Sequence, residues 1–308
     1  MLQNTLAQAE QLRLAKVNGG AYFLPARLLL RLSGADAFRY LNGQITSDLS
    51  RAIPGHALPA CILTPKGKLC APLLIWKEND DLLVEADPSL EEALIARLER
   101  YIVADDVAVT LEPSRQLIHV FGKLAESEPW VSFPGIRTNR LGVPGVDLTK
   151  DTPGVESSPI LDPLVVERLR IEAGIPMWGL ELTEETLPPE AGLDRTHIDY
   201  DRGCYPGQET ISRLKSIGKV NRLLCLLTAP DKATIDPGHD IVTEEGSVVG
   251  AITSMAPQIT EESAMPFTLT LALAYLKRSV LEGDMPIYAL DPLTGGKTQL
   301  SISQAISS

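Results

Sequence analysis

The densest cluster of chemistry-bearing side chains in the sequence is Asp-Arg-Gly-Cys-Tyr-Pro-Gly-Gln-Glu, residues 201–209. Pro206 and Gly207 stand where a type II turn takes Pro and then Gly, and the residues just beyond read as the start of a helix. Cys204 is thereby placed near a helix N-terminus, with Arg202 two positions away. Both features favour a thiolate over a thiol whose ordinary pKa is about 8.5, so a reactive or ligating sulfur is one reading. A tight turn around a packed cysteine is the other.

A second candidate is Glu172, in Leu-Asp-Pro-Leu-Val-Val-Glu-Arg-Leu-Arg-Ile-Glu-Ala-Gly. Helical spacing puts it on the face of Val165 and Leu169, and it falls at the helix C-terminus, where the macrodipole disfavours an anion. A carboxylate so placed suits a ligand that presents two adjacent N–H donors, as an aminopyrimidinone edge does, because it offers two acceptor oxygens. An i,i+4 ion pair with Arg168 explains it equally well. Glu190, in Leu-Pro-Pro-Glu-Ala-Gly-Leu, is a weaker case of the same kind and could be a plain loop charge.

The elements that must position these residues read as α+β. A helical opening (Leu2, Leu6, Ala9, Leu12) leads to strand-like runs at 21–24 and 28–32, then to a short helix with Ser33 as cap and Phe38 and Leu41 inward. Runs 60–63 and 69–76 pair through Thr-Pro-Lys-Gly-Lys; 82–86 is another strand, and Leu90, Leu94, Leu98 and Ile102 mark a helix. Seven prolines break up 112–163, leaving short strands at 117–120 and 145–148. Asp162 as cap, Pro163 at the first helical position and Gly174 past the end frame the Glu172 helix. From 216 the chain is strand-rich and predicts a barrel or sandwich of about six strands.

Composition narrows the function classes. The chain has 308 residues, with 28 Lys+Arg against 40 Asp+Glu, giving a net charge of −12. That balance disfavours direct nucleic-acid binding, which rests on cations neutralising phosphates. Cys61, Cys70, Cys204 and Cys225 form no CxxC pair and the four His are scattered, so no metal site is expected. Cys61 and Cys225 read as buried thiols. No stretch is apolar enough to cross a membrane, and Met-Leu-Gln-Asn-Thr-Leu-Ala-Gln at the start does not read as a secretory signal. A cytoplasmic location is expected, or an organelle matrix if a transit peptide has been removed.

Arg-Ile-Glu-Ala-Gly-Ile-Pro-Met-Trp-Gly, then Leu-Pro-Pro-Glu-Ala-Gly-Leu, then Asp-Arg-Gly-Cys-Tyr-Pro-Gly-Gln-Glu-Thr-Ile-Ser-Arg resemble the YgfZ family of folate-binding proteins, relatives of the glycine cleavage aminomethyltransferase (T-protein). The likeness extends upstream to Leu-Ser-Gly-Ala-Asp-Ala-Phe-Arg-Tyr-Leu-Asn-Gly-Gln-Ile-Thr-Ser-Asp and downstream to Gly-Ala-Ile-Thr-Ser and Leu-Ala-Leu-Ala-Tyr-Leu-Lys-Arg. It implies a three-part, ring-like fold, with a mixed α/β folate-binding region over 1–215 (two interleaved subdomains, loop-rich at 112–163) and a C-terminal β-barrel over 216–308.

The same resemblance implies tetrahydrofolate, or a derivative, as ligand and a role in assembling or repairing iron–sulfur clusters in client enzymes, including enzymes that modify tRNA. Folate and the iron–sulfur client or assembly proteins are then the partners. Glu172 matches the carboxylate that holds the pterin, with Glu190, Arg202, Tyr205, Gln208 and Glu209 completing the expected ligand and Cys-loop set. Cys204 matches the family's signature thiol, and transient contact with a cluster, nucleophilic attack and redox sensing are all roles open to it. Arg202 stands where the family usually has Lys, which keeps the charge but not a Lys-specific adduct.

Aminomethyltransferases carry an Asp pair after the first hairpin turn; Cys70 and Ala71 occupy those places here, and Asp48 reads as a turn or cap residue. Neither a thiol nor a methyl supplies the missing carboxylate, so the expectation is an accessory protein rather than a classical enzyme. The alternatives are a tetrahydrofolate-dependent one-carbon transferase or demethylase, and a folate-free interaction module.

Overall fold

The computed structural model describes residues 6–155, 158–216, 218–230, 233, 235–259, 269–283 and 285–306. Two open sheets and a closed barrel account for its strands. Helix α1 (Gln8–Asn18) precedes β1 (Gly20–Phe23), β2 (Leu28–Ser33) and α2 (Ala37–Asn42). The hairpin strands β3 (Leu58–Leu63) and β4 (Leu69–Glu78) follow, then β5 (Asp81–Ala86), α3 (Glu91–Glu99) and β6 (Ala108–Leu111). These make the first sheet, in the order β3-β4-β5-β2-β6. Its strands alternate: Leu28, Leu30 and Leu32 of β2 enter the core under α2 and α3, while Leu29 of β2 shares a small cluster with Trp76 and Leu83 on the opposite face.

That opposite face meets the second sheet, β1-β7-β9-β8, built from β7 (Leu117–Phe121), β8 (Ile136–Thr138) and β9 (Gly145–Thr149). Helix α4 (Pro163–Glu172) comes next, and α5 (Gln208–Ser216) leads into the barrel. The barrel strands are β10 (Arg222–Ala229), β11 (Asp240–Val242), β12 (Val248–Met255), β13 (Thr270–Lys277), β14 (Ile287–Leu290) and β15 (Lys297–Ala305), with α6 (Arg278–Gly283) between β13 and β14. They close in the order β10-β13-β12-β11-β14-β15, so no barrel edge is left unpaired. Among the described residues no helix is long and apolar enough to cross a membrane.

Several local expectations are corrected. Ser33 is the last residue of β2, not a cap; α2 begins at Ala37 after Asp36, and its buried face is Ala37, Tyr40 and Leu41, leaving Phe38 exposed. Helix α3 stops at Glu99 because the chain tightens there into i→i+3 turns, Tyr101 N to Leu98 O and Ile102 N to Glu99 O. The opening helix begins only at Gln8 and buries Gln11 and Ala15; Leu6 precedes it and is exposed, and Leu2 lies outside the described residues. Strands β6 and β8 were not expected. The Glu172 helix forms as read: the Asp162 side chain accepts from Leu164 N at 2.8 Å, and Gly174 takes φ +67°.

Candidate functional site

The Cys204 loop is held by backbone geometry. Gln208 N donates to Tyr205 O at 3.2 Å and Gly207 has φ +86°, the type II turn its Pro-Gly pair requires. A Cβ on Gly207 would lie 2.5 Å from Thr64 O and 3.1 Å from Gly67 Cα, so this turn packs directly on the turn joining β3 to β4. Gln208 opens α5, its Nε2 reaching Arg202 O at 3.5 Å, and Glu209 is in the first turn, where the helix dipole favours an anion.

Arg202 latches the loop from below. Its Nη1 donates to Ile45 O at 3.0 Å and to Ser47 O, its Nη2 to Asn42 O, and its Nε to Gly203 O at 3.1 Å. Most of its donors are thus engaged by carbonyls of the 42–47 segment and its own loop, so Arg202 holds the loop through its hydrogen bonds while its charge still acts on Cys204. Thr46 and Ser47 in turn bond His197 O, and Asp199 N donates to Thr46 O at 3.0 Å. Asp48 accepts from Ser50 N at 2.9 Å, the capping role read for it. Tyr205 is buried beside Cys61, Leu63, Ile171 and Ile211, with burial pushing its hydroxyl up to about 12; it is a packing residue under the loop.

Of the four thiols only Cys204 is exposed. Cys61 and Cys225 are fully buried, and burial pushes the Cys225 thiol up to about 12. Cys70 on β4 is half-buried; burial raises its pKa against the opposing pull of Arg97, and Ala71 beside it is buried in the core. Neither supplies a carboxylate. Among the described residues no three His, Cys, Asp or Glu side chains could together hold a metal ion.

The two expected carboxylates occupy a matching pair of Glu-Ala-Gly turns. Glu172, 19% exposed, pairs through Oε1 with Arg168 Nε at 3.0 Å and through Oε2 with Lys16 Nζ of α1 at 2.8 Å. The i,i+4 pair is therefore present, and each oxygen keeps acceptor capacity for one more N–H. Glu190 is buried rather than a loop charge: its Oε2 accepts from Leu187 N at 3.2 Å and from Arg222 Nε and Nη2 at 3.1 Å, tying a short 3-10 turn to β10. Ile306 wedges against both turns; a Cβ on Gly174 would meet its Cδ1 at 2.2 Å and one on Gly192 its carbonyl at 2.9 Å. One apolar cluster containing Ile171, Ala191 and Tyr205 connects these turns with the Cys loop.

Sequence reasoning missed a third feature, at the seam of the two open sheets. Arg140 donates from Nη1 and Nη2 to Glu85 at 2.9 and 2.6 Å, and from Nε and Nη2 to Asp147 at 2.9 and 2.6 Å. Asp147 also pairs with His119 Nδ1 at 2.7 Å, and Glu85 with Arg27 Nε at 3.0 Å. Burial pushes Asp147 up, but Arg140 and His119 outweigh it and hold the carboxyl below its usual range. Beside this chain of charges lies a cavity of about 410 Å³ lined by Arg27, Leu29, Trp76, Glu85, Ile136 and Asp147 among others, within the size range of small-molecule sites. The available signal was a His and an Asp in the middle of apolar strands, Leu-Ile-His-Val-Phe and Gly-Val-Asp-Leu-Thr, which register places opposite each other.

No family model matches the chain. It is 26% identical over 242 residues to the tRNA-modifying protein YgfZ of Escherichia coli O157:H7 (strain EC4115 / EHEC), a match covering 71% of this chain and 74% of that protein. The YgfZ of Escherichia coli strain SMS-3-5 gives the same identity and coverage. In fold the chain is similar to the glycine cleavage system aminomethyltransferase T from Bartonella henselae, with a TM-score of 0.75 at 17% identity, over 98% of this chain and 90% of that one. The chain is thus a homologue of the YgfZ proteins, carrying the fold of aminomethyltransferase T.

Proposed function

We propose that this protein is a tetrahydrofolate-binding accessory factor that supports assembly or repair of iron–sulfur clusters in client enzymes, tRNA-modifying enzymes among them. The observation that carries the reading is the contrast among the thiols: three are buried or half-buried, while Cys204 is exposed on a loop pinned by Arg202 and the Gly207 contact. A single rigidly presented sulfur can lend one ligand to a cluster that the client or assembly protein otherwise holds; it cannot hold a cluster alone. The net charge of −12 favours meeting that client as a protein rather than through RNA. The name borne by the YgfZ relatives supports a link to tRNA modification.

Glu172 would orient the pterin, using the acceptor capacity left after Lys16 and Arg168. With Cys70 and Ala71 in the places of the aminomethyltransferase Asp pair, the folate in this reading is a ligand rather than a reactant. Calorimetric titration of tetrahydrofolate under reducing, oxygen-free conditions tests it, with thermal melts showing that each variant is folded. Wild type and Cys204→Ala should bind and Glu172→Ala should not, while Cys204→Ala should fail to restore iron–sulfur enzyme activity in cells deprived of the protein. Absence of binding by the wild type rejects the folate role; full rescue by Cys204→Ala rejects the thiol role.

A further inference from the structure

We propose that the open side of the Cys204 loop is a docking surface for an acidic protein surface, the rim of a client's iron–sulfur site, and that Lys66, Arg213 and Lys215 steer it there; the proposal rests on the thiol role given above. The charge distribution points to it. The chain carries a net charge of −12, yet the two segments that build this face, 64–68 and 201–216, hold Lys66, Lys68, Arg202, Arg213 and Lys215 against Asp201 and Glu209 alone. On an acidic molecule such a local excess of cations selects where an acidic partner lands, because the like-charged surface elsewhere repels it.

The fold brings these cations to the loop. A Cβ on Gly67 would lie 3.0 Å from Thr210 Cβ, so the turn joining β3 to β4 packs on the first turn of α5. Lys66 is exposed on that turn. Arg213, three positions beyond Thr210, lies on the same side of the helix one turn further on. Lys215 takes the other flank, its Nζ 3.6 Å from the centre of the Tyr200 ring, just before the loop begins. Arg213 and Lys215 are exposed as well, and among the described residues neither Lys66 nor Arg213 enters an ion pair. The acids around them are largely committed: Asp199 pairs with Arg51, Glu185 with Lys68, and Asp48 caps its own turn.

The loop also leaves room for close approach. Gly203, next to Cys204, has no positive φ and nothing within 4 Å of where its Cβ would stand, so neither backbone strain nor packing calls for glycine there. The missing side chain instead keeps clear the space beside the thiol that an incoming surface needs. An iron–sulfur centre held by thiolates is itself anionic, so the cations that steer its acidic rim also offset the repulsion between that centre and the Cys204 thiolate.

The test uses short peptides with a central cysteine flanked by glutamates, serines or lysines, each activated as the mixed disulfide with thionitrobenzoate. The Cys204 thiolate attacks the peptide sulfur, forming a peptide–Cys204 disulfide and expelling thionitrobenzoate, whose release gives the rate; Cys204→Ala gives the background from the other thiols. The ratio of glutamate to lysine rates is the readout, because a change in thiolate fraction moves both peptides alike. Wild type should prefer the glutamate peptide about tenfold or more at low salt, lose the preference near 1 M salt, and lose it in the triple variant Lys66→Gln, Arg213→Gln, Lys215→Gln with an unchanged melt. In cells deprived of the protein, the corresponding triple Glu variant and Gly203→Leu should fail to restore iron–sulfur enzyme activity although both fold. Equal rates for the glutamate and lysine peptides, or full rescue by the triple Glu variant where Cys204→Ala fails, overturns the docking surface and leaves the thiol role standing. Full rescue by Cys204→Ala rejects the thiol role and the docking surface with it. If bulk tRNA binds wild type at physiological salt and not the triple Gln variant, the surface serves RNA and the proposal is overturned.

Discussion

In the barrel every strand has two neighbours, and the interior is filled by Leu227, Ile241, Ile252, Leu276 and Ile287 with no charged side chain among them. At the seam of the two open sheets the filling is Arg140, Glu85, Asp147 and His119, and it leaves a cavity. A closed sheet buries its backbone groups by pairing and can pack its interior with aliphatic side chains alone. Two sheets meeting across a seam need cross-ties, and an ion chain provides them at a large desolvation penalty while holding space open between the sheets. The barrel interior is closed by aliphatic packing, whereas the seam keeps charged groups and open space between its sheets.

The strongest way to break this contrast is Arg140→Met, which leaves two buried carboxylates without their clamp. A loss of about 3–5 kcal/mol is expected by urea denaturation. Exchanging Glu85 and Asp147 for apolar residues and His119 for Leu in the same variant should recover part of it, since this removes the stranded carboxylates together with the buried imidazole that Asp147 held, while Arg27 stays partly in solvent; no recovery would mean the chain contributes more than paired charge. In the barrel, Leu227→Ala should cost about 2–5 kcal/mol by cavity formation alone, with no change in pH response.

Acid separates the regions further. Asp147 has a folded-state pKa below its unfolded value, so its stabilisation is present above the ordinary carboxylate range and is lost only as pH falls through its depressed pKa. His197, beneath the Cys loop, is lowered by burial to about 4. The unfolded chain therefore binds the extra proton first, and stability should fall as pH drops from about 6.5 towards 4, then level off for this group. His197→Gln should flatten that window and leave the lower one untouched in melts across pH. The smallest perturbation is chemical: brief alkylation of the native protein, followed by mass spectrometry, should label Cys204 first, Cys70 slowly, and Cys61 and Cys225 only on unfolding.

The comparison also explains what could be read from the sequence. Barrel strands and the Glu172 helix were legible because their signals are local: alternation, an Asp-Pro start, a Gly stop. The type II turn at Tyr205–Gln208 was legible for the same reason. Arg140 carried no such signal, because its meaning lies in partners on β5 and β9 that only the packing of two sheets brings together. Arg202 was read as an electrostatic partner of its sequence neighbour Cys204; its hydrogen bonds to carbonyls more than 150 positions away carried no local signal. Glu190 looked like a loop charge because Arg222, its partner, belongs to the barrel.

Ile306 gives the molecule an order of assembly. On the ribosome, Gly174 and Gly192 emerge more than a hundred residues before the side chain that wedges against both. At roughly 5–20 residues per second the two turns wait on the order of ten seconds for it. During that interval the strands of the open sheets can already pair, but the turns bearing Glu172 and Glu190 lack their final contact, so in a nascent chain these two turns should set together and late, when the last barrel strand docks.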